Sequence, residues 1–235
     1  MHLEPIRERI AEAALRAGRD PARISIVAVT KGHPVTAVGE AVDAGLLDIG
    51  ENKVQEALEK MNQWQAAAPG DAGRVRWHLI GHLQRNKAKH AVGRFALIHS
   101  VDSVRLADEL EKQAGAKNLV QDVLVQVNVA REAQKSGVSP DEAEELIEHV
   151  RRLAHLRLCG LMTMAPLTDD KELIRATFRG LRSLSERCAP SAHEPRSTTA
   201  DPWHLSMGMS SDYTIAVEEG ATLLRLGTVL FGERV

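Results

Sequence analysis

Aromatic residues are scarce in this chain. Three Trp, three Phe and one Tyr make up 3% of its 235 residues, so the core has to come from Ala, Val, Leu and Ile. That supply suits helices packed on a sheet, where branched aliphatics fill the layers. Cysteine is nearly absent as well. Cys159 and Cys188 lie far apart and form no CxxC pair, and they read as reduced thiols of a cytoplasmic protein, with a bridge between them the less favoured alternative. An excess of charge is missing too: 30 Lys and Arg stand against 32 Asp and Glu, a net charge of −2. Such a surface has no field to draw in nucleic acid or an anionic membrane. No apolar stretch approaches the roughly 18 residues of a membrane span. The N-terminus carries Glu4, Arg7, Glu8 and Arg9 where a signal peptide needs its apolar run. The expectation is a soluble, untargeted cytoplasmic protein with neither a nucleic-acid nor a membrane partner. His78, His82, His99 and His204 lack an HExxH motif or an acidic cluster to complete a ligand set, so no metal is expected. Met162, Met164, Met207 and Met209 read as core or pocket lining.

What is present is a repeat. A helix over Glu4–Ala17 has apolar residues at three- and four-residue spacing and ends at Gly18. A β-branched run over Arg23–Lys31 follows, then Gly32-His33-Pro34, then a helical stripe from Val35 closed by Gly45. The unit recurs, with strands expected over Leu46–Gly50, Val75–Ile80, Phe95–His99, Val123–Val129, Leu156–Met162, Trp203–Ser206 and Leu223–Phe231. The intervening helices are expected over Asn52–Ala67, Gln84–Val92, Ser103–Ala114, Pro140–Leu153, Lys171–Arg187 and Asp212–Glu219. Strict alternation implies a parallel sheet with right-handed crossovers. Eight strands in 235 residues favour a single α/β domain over residues 1–235, a (β/α)8 TIM-type barrel with an extra N-terminal helix. A doubly wound open sheet is the alternative and usually has fewer strands. Arg131–Ser139 follows strand five and so faces the expected site, with Lys135 read as solvated in preference to a secondary ligand contact. Pro190–Pro202 reads as a flexible insert on the opposite face.

Sites of this fold form at the C-terminal strand ends. Lys31 ends strand one. A lysine desolvated there becomes a nucleophilic amine of the kind that forms Schiff bases; from spacing alone it is equally a lysine that reaches out to solvent. Ser206-Met207-Gly208-Met209-Ser210-Ser211-Asp212 joins strand seven to a helix, and Gly227-Thr228 follows strand eight. Barrels often bind phosphate there, although an ordinary serine cap explains the first segment as well. Arg225 needs an acceptor inside the barrel. Either a pyridine nitrogen or a carboxylate such as Glu51 would serve.

In order along the chain, AVTK at 28–31, GEN at 50–52, WHLIGHLQRNK at 77–87 and HSVD at 99–102 are followed by QVN at 126–128 and KSG at 135–137. GLMTMAP at 160–166, LSMGMSSD at 205–212 and RLGTVLFG at 225–232 complete the set. This ordered set resembles the pyridoxal phosphate homeostasis protein family over nearly the whole chain. The resemblance implies a barrel like the alanine racemase N-terminal domain, without that enzyme's second domain. It implies pyridoxal 5′-phosphate (PLP) as cofactor, held as a Schiff base on Lys31, with Arg225 at the pyridine nitrogen. Ser210, Gly227 and Thr228 match phosphate-binding positions, with Ser206 nearby, and Asn52, His78 and Met207 match pocket positions. It implies a role in intracellular PLP homeostasis without substrate turnover, serving apo PLP-dependent enzymes or B6-salvage enzymes as partners. Leu79, Ala221, the length of 190–202 and the end at Val235, without a lysine-bearing tail, depart from the family pattern. A racemase-like PLP enzyme is the alternative. It needs a second base opposite the lysine, and Tyr213, the chain's one tyrosine, stands at a helix start beside the phosphate segment. A Schiff-base aldolase for a sugar phosphate would use the same lysine without PLP.

Overall fold

A computed structural model describes residues 2–189 and 203–233. Eight parallel strands close into a barrel in sequence order: β1 (Ser25–Val29), β2 (Asp48–Glu51), β3 (Arg76–Leu79), β4 (Leu97–Val101), β5 (Gln121–Gln126), β6 (Leu156–Met162), β7 (His204–Ser206) and β8 (Leu223–Leu226). The helices are α1 (Leu3–Arg16), α2 (Thr36–Asp43), α3 (Val54–Ala67), α4 (Ala88–Ala91), α5 (Val104–Ala116), α6 (Ala143–Arg152), α7 (Lys171–Cys188), α8 (Tyr213–Glu218) and α9 (Thr228–Phe231). Local chemistry sets several boundaries. The Asp170 side chain accepts from the Glu172 and Leu173 amides and so starts α7. α1 packs on α8, where Arg19 donates to the carbonyls of Val217, Gly220 and Ala221 and holds the N-terminal segment to the barrel.

The core is double. Aliphatics facing outward from the strands pack under the helices, with Phe178, Leu181 and Ile147 fully buried. A separate cluster of Val27, Leu97, Leu124, Met162 and Leu223, one residue from each of five strands, fills the barrel interior. Each such side chain contributes about 1.5–3 kcal/mol by burial.

Several elements differ from the sequence reading. β1 stops at Val29, because Gly32 at φ 72° turns the chain and the His33 amide returns to the Thr30 carbonyl. β5 ends at Gln126, and beyond it Val127 bridges to Val138, so the 131–139 loop folds back along the strand end. The apolar run to Phe231 is not strand throughout. β8 ends at Leu226, and after Gly227 the chain coils into the short α9, which buries Leu230. Over Gln84–Val92 a 3-10 turn (Arg85–Lys87) precedes a single turn of α-helix. The insert at 190–202 lies outside the described residues. Cys159 and Cys188 are not joined in a disulfide. Among the described residues no helix is long and apolar enough to cross a membrane.

Candidate functional site

A cavity of about 680 Å³ opens at the C-terminal ends of the strands. Lys31, one residue past Thr30 on the β1 side, enters it together with Asn52 from the end of β2. Arg225 of β8 reaches it from within the barrel, and Ser210, Gly227 and Thr228 form its far wall. The cations Lys31, Lys135 and Arg225 line the cavity, and among the described residues no carboxylate does. That imbalance favours an anionic ligand.

Lys31 is placed by what lies behind it. Lys60 of α3 and Glu51 of β2 form an ion pair at 2.5 Å, with side chains 6% and 0% exposed. Lys60 also donates to the Thr30 carbonyl at 2.7 Å, and the Thr30 hydroxyl donates to Glu51 at 2.6 Å. The Gly32 amide donates to Glu56 at 2.8 Å. The backbone on both sides of Lys31 is therefore tied to α3. Burial pushes the Glu51 carboxyl up, and the bonds from Lys60 and Thr30 only partly offset this. Glu51 is thus engaged elsewhere and does not pair with Arg225.

Arg225 is 4% exposed and donates to Ser206 Oγ at 2.7 Å and to the Thr163 carbonyl at 2.8 Å. Burial brings its guanidinium down to about 10, so it remains a cation at neutral pH. Asp212, whose carboxyl burial pushes up, lends it a distant attraction and spends its own oxygen on the Met209 amide at 2.6 Å. Ser210 Oγ stands 3.4 Å from the Gly227 amide and 3.3 Å from the Val229 amide, at the start of α9. Packing behind this wall requires glycine at one point and is tight at a second. A Cβ on Gly208, at φ +96°, would meet Ala216 and Leu224, and one on Gly227 would lie 3.2 Å from the Val29 carbonyl.

Not every expected residue reaches the cavity. His78 and Ser206 lie beneath its floor and do not line it, and Met207 packs in the outer core instead. His78 is bonded to Asp48 and His99, Ser206 to His99 and Arg225, and Met207 is fully buried in the core. The reason is the layering of the barrel: residues two apart on one strand occupy successive levels. Lys135 is not simply solvated. It donates to the Ala165 carbonyl at 2.7 Å, pairs with Glu132 and forms part of the cavity wall. Gln126, absent from the expected set, lines the cavity and donates to the Ser136 carbonyl at 2.8 Å. The buried Lys60 was also missed. Its signal was a lysine standing in the stripe of Val54, Ala57 and Trp64.

PLP carries a phosphate, a ring nitrogen and an aldehyde. The residues present suit it: an amine at Lys31, a cationic donor at Arg225, and hydroxyls at Ser210 and Thr228 that can donate to a phosphate. Among the described residues no group of three or more His, Cys, Asp or Glu is arranged to hold a metal.

The family described as alanine racemase, N-terminal domain, matches residues 1–235. A pyridoxal phosphate homeostasis protein of Aquifex aeolicus is 43% identical over 232 residues, spanning 99% of this chain and 96% of its own. Among solved structures, PipY of Synechococcus elongatus with PLP bound superposes with a TM-score of 0.76 at 36% identity, covering 97% of this chain and 100% of that one. An alanine racemase of Clostridium difficile shares the fold, with a TM-score of 0.73 at 13% identity, over 97% of this chain and 59% of its own.

Proposed function

This chain belongs to the pyridoxal phosphate homeostasis protein family, and from that premise we propose that it binds PLP in the strand-end cavity and holds it covalently through Lys31. The observation that carries the reading is the cavity's one-sided charge: Lys31 and Arg225 line it, Lys135 beside them is paired with Glu132, which stands outside the lining, and no carboxylate is among the described residues that line it. When bound, PLP supplies an aldehyde carbon that an amine can capture, and an electron-withdrawing ring whose strength depends on protonation of its nitrogen.

Lys31 is the capturing amine, held in place by the ties from Lys60 and Glu56 to its neighbours. Ser210, Gly227 and Thr228 offer a hydroxyl and backbone amides to the phosphate. Arg225 faces the ring nitrogen. As a cation it keeps a proton off that nitrogen, so the ring is a poor electron sink. Asn52 would offer its side-chain amide to the ligand. The whole chain, residues 1–235, acts as one ligand-binding domain.

The protein serves as a holder of PLP rather than a catalyst, supplying apo PLP-dependent enzymes or enzymes of B6 salvage. A two-base racemase needs an acid/base group opposite the lysine. Tyr213, the one tyrosine, is 5% exposed, packs in the core and does not line the cavity. The test is an absorbance spectrum of wild type and Lys31→Ala with added PLP, before and after borohydride reduction and gel filtration. Wild type should show a visible band and, after reduction, a mass increase on the Lys31 peptide; Lys31→Ala should show neither. Wild type without a band after PLP addition refutes the reading. Exchange of an amino acid's α-hydrogen with solvent deuterium would refute the non-catalytic role.

A further inference from the structure

From Arg225 in the cavity wall down into the barrel, five side chains from five strands form one unbroken hydrogen-bonded chain. Arg225 Nη1 meets Ser206 Oγ at 2.7 Å, and Ser206 Oγ meets His99 Nδ1 at 2.8 Å. His99 Nε2 meets His78 Nδ1 at 2.9 Å, and His78 Nε2 meets Asp48 Oδ1 at 2.9 Å. All five are buried, with relative exposures of 8% or less. At the far end Arg76 clamps both Asp48 oxygens at 2.6 Å.

With His78 neutral, the two ends order every proton in between. A guanidinium can only donate and an ionised carboxylate can only accept. Asp48 is ionised: burial pushes its carboxyl up, but the bonds from His78 and Arg76 hold it well below the usual carboxylate range. His78 therefore carries its proton on Nε2 and accepts at Nδ1. His99 must then donate from Nε2 and accept at Nδ1, and Ser206 donates to His99 and accepts from Arg225. Burial, the largest cause, holds His99 well below its ordinary value, so it is a neutral imidazole with one proton to place. The titratable and charged groups facing His99 are His78 on β3, His204 on β7 and Arg225 on β8, with Asp48 on β2 beyond His78.

We infer that this one-directional chain is a positioning relay: His99 and Ser206, their protons ordered from Asp48 through His78, present an acceptor to Arg225 and so fix its guanidinium toward the cofactor ring. If the order reversed, Ser206 Oγ would have to accept from both Arg225 and His99, and its own O–H would have no acceptor in the chain. The relay rests on the PLP reading above and extends it to residues that do not line the cavity.

The test compares wild type with His99→Leu, His99→Gln, Ser206→Ala and His78→Phe. Three measurements are made: PLP affinity, the pH titration of the bound cofactor's absorbance, and the melting temperature of the unliganded protein. Losing one hydrogen bond to a charged group corresponds to about a tenfold weaker affinity. That loss is expected for His99→Leu and Ser206→Ala, with the titration moved to higher pH because a displaced Arg225 no longer repels a proton from the ring nitrogen. His78→Phe keeps the ring volume at a position outside the cavity, and it should move the titration the same way. In His99→Gln the amide supplies both an acceptor and a donor, so affinity and titration should return toward wild type. A merely structural role would lower the melting temperature and leave the titration in place. A His78→Phe protein that folds, binds and titrates as wild type does overturns the relay, as does a His99→Leu protein that matches His99→Gln. If wild type itself shows no band, the cofactor assignment fails; an intact wild-type band with unmoved variants defeats the relay alone.

Discussion

Replacing Lys60 with methionine removes one partner of the ion pair behind Lys31 and leaves the volume nearly unchanged. The Glu51 carboxylate would then stand in a site where its side chain is 0% exposed and its Oε2 already lacks a partner. Breaking a buried pair on one side costs about 3–5 kcal/mol. Glu51 limits the loss by taking up a proton, since burial already raises its carboxyl, so the lower end, about 3 kcal/mol, is expected. For a chain of this size that lowers the melting temperature by about 6–12 °C. The pH dependence has a definite sign. A carboxyl whose folded value is raised favours the fold at low pH and loses that contribution as pH rises through the folded value. Without Lys60 the folded value rises further, so the deficit against wild type should be largest at pH 8 and smaller at pH 5. The assay is urea unfolding of the unliganded protein at both pH values, with the m-value checked for constancy. Lys60→Met combined with Glu51→Gln removes the orphaned charge while keeping an acceptor for Thr30, and should recover at least half of the loss. A Lys60→Met loss below about 1 kcal/mol, or a double variant no more stable than the single one, would refute the reasoning.

Two further outcomes follow from the same structure. Asp48 is held below the usual carboxylate range, so its stabilising contribution exists above its unfolded value and is lost only as pH falls through the lower folded value. The stability gap between wild type and Asp48→Asn, measured by urea midpoints, should therefore hold from pH 8 down to about pH 4 and close only in more acid solution; a gap that closes between pH 8 and 6 would point to a histidine instead. Gly160 adopts φ +139° with the His204 backbone against the place a Cβ would fill, at the register point where β6 pairs with β7. Gly160→Ala should cost about 1–3 kcal/mol from backbone strain, with the clash adding to it, and a melting temperature equal to wild type would contradict the close approach.

Parts of this protein could be read directly along the chain. The alternation of β-branched runs and helical stripes announces a parallel barrel, because each crossover needs its own helix. Lys31, Ser210 and Arg225 fall at strand ends, and in a barrel the C-terminal ends face one mouth. Elements were misjudged where apolar content alone was the guide: the run to Phe231 is apolar enough for strand, yet the chain breaks at Gly227 and coils. Lys135 was misjudged for the opposite reason. A lysine in a polar loop gives no hint that a carbonyl thirty residues on will receive it.

The sequence by itself thus determined the fold and the mouth at which Lys31 stands. Tertiary structure alone decided which polar side chains line the cavity and which lie beneath it. Strands of a parallel barrel are buried on both faces, so their hydropathy does not alternate, and the inward or outward sense of His78, His99 or Ser206 leaves no mark along the chain. Closure and register set that sense. They also bring Asp48, His78, His99, Ser206 and Arg225, spread over 178 residues of sequence, into a single line of hydrogen bonds.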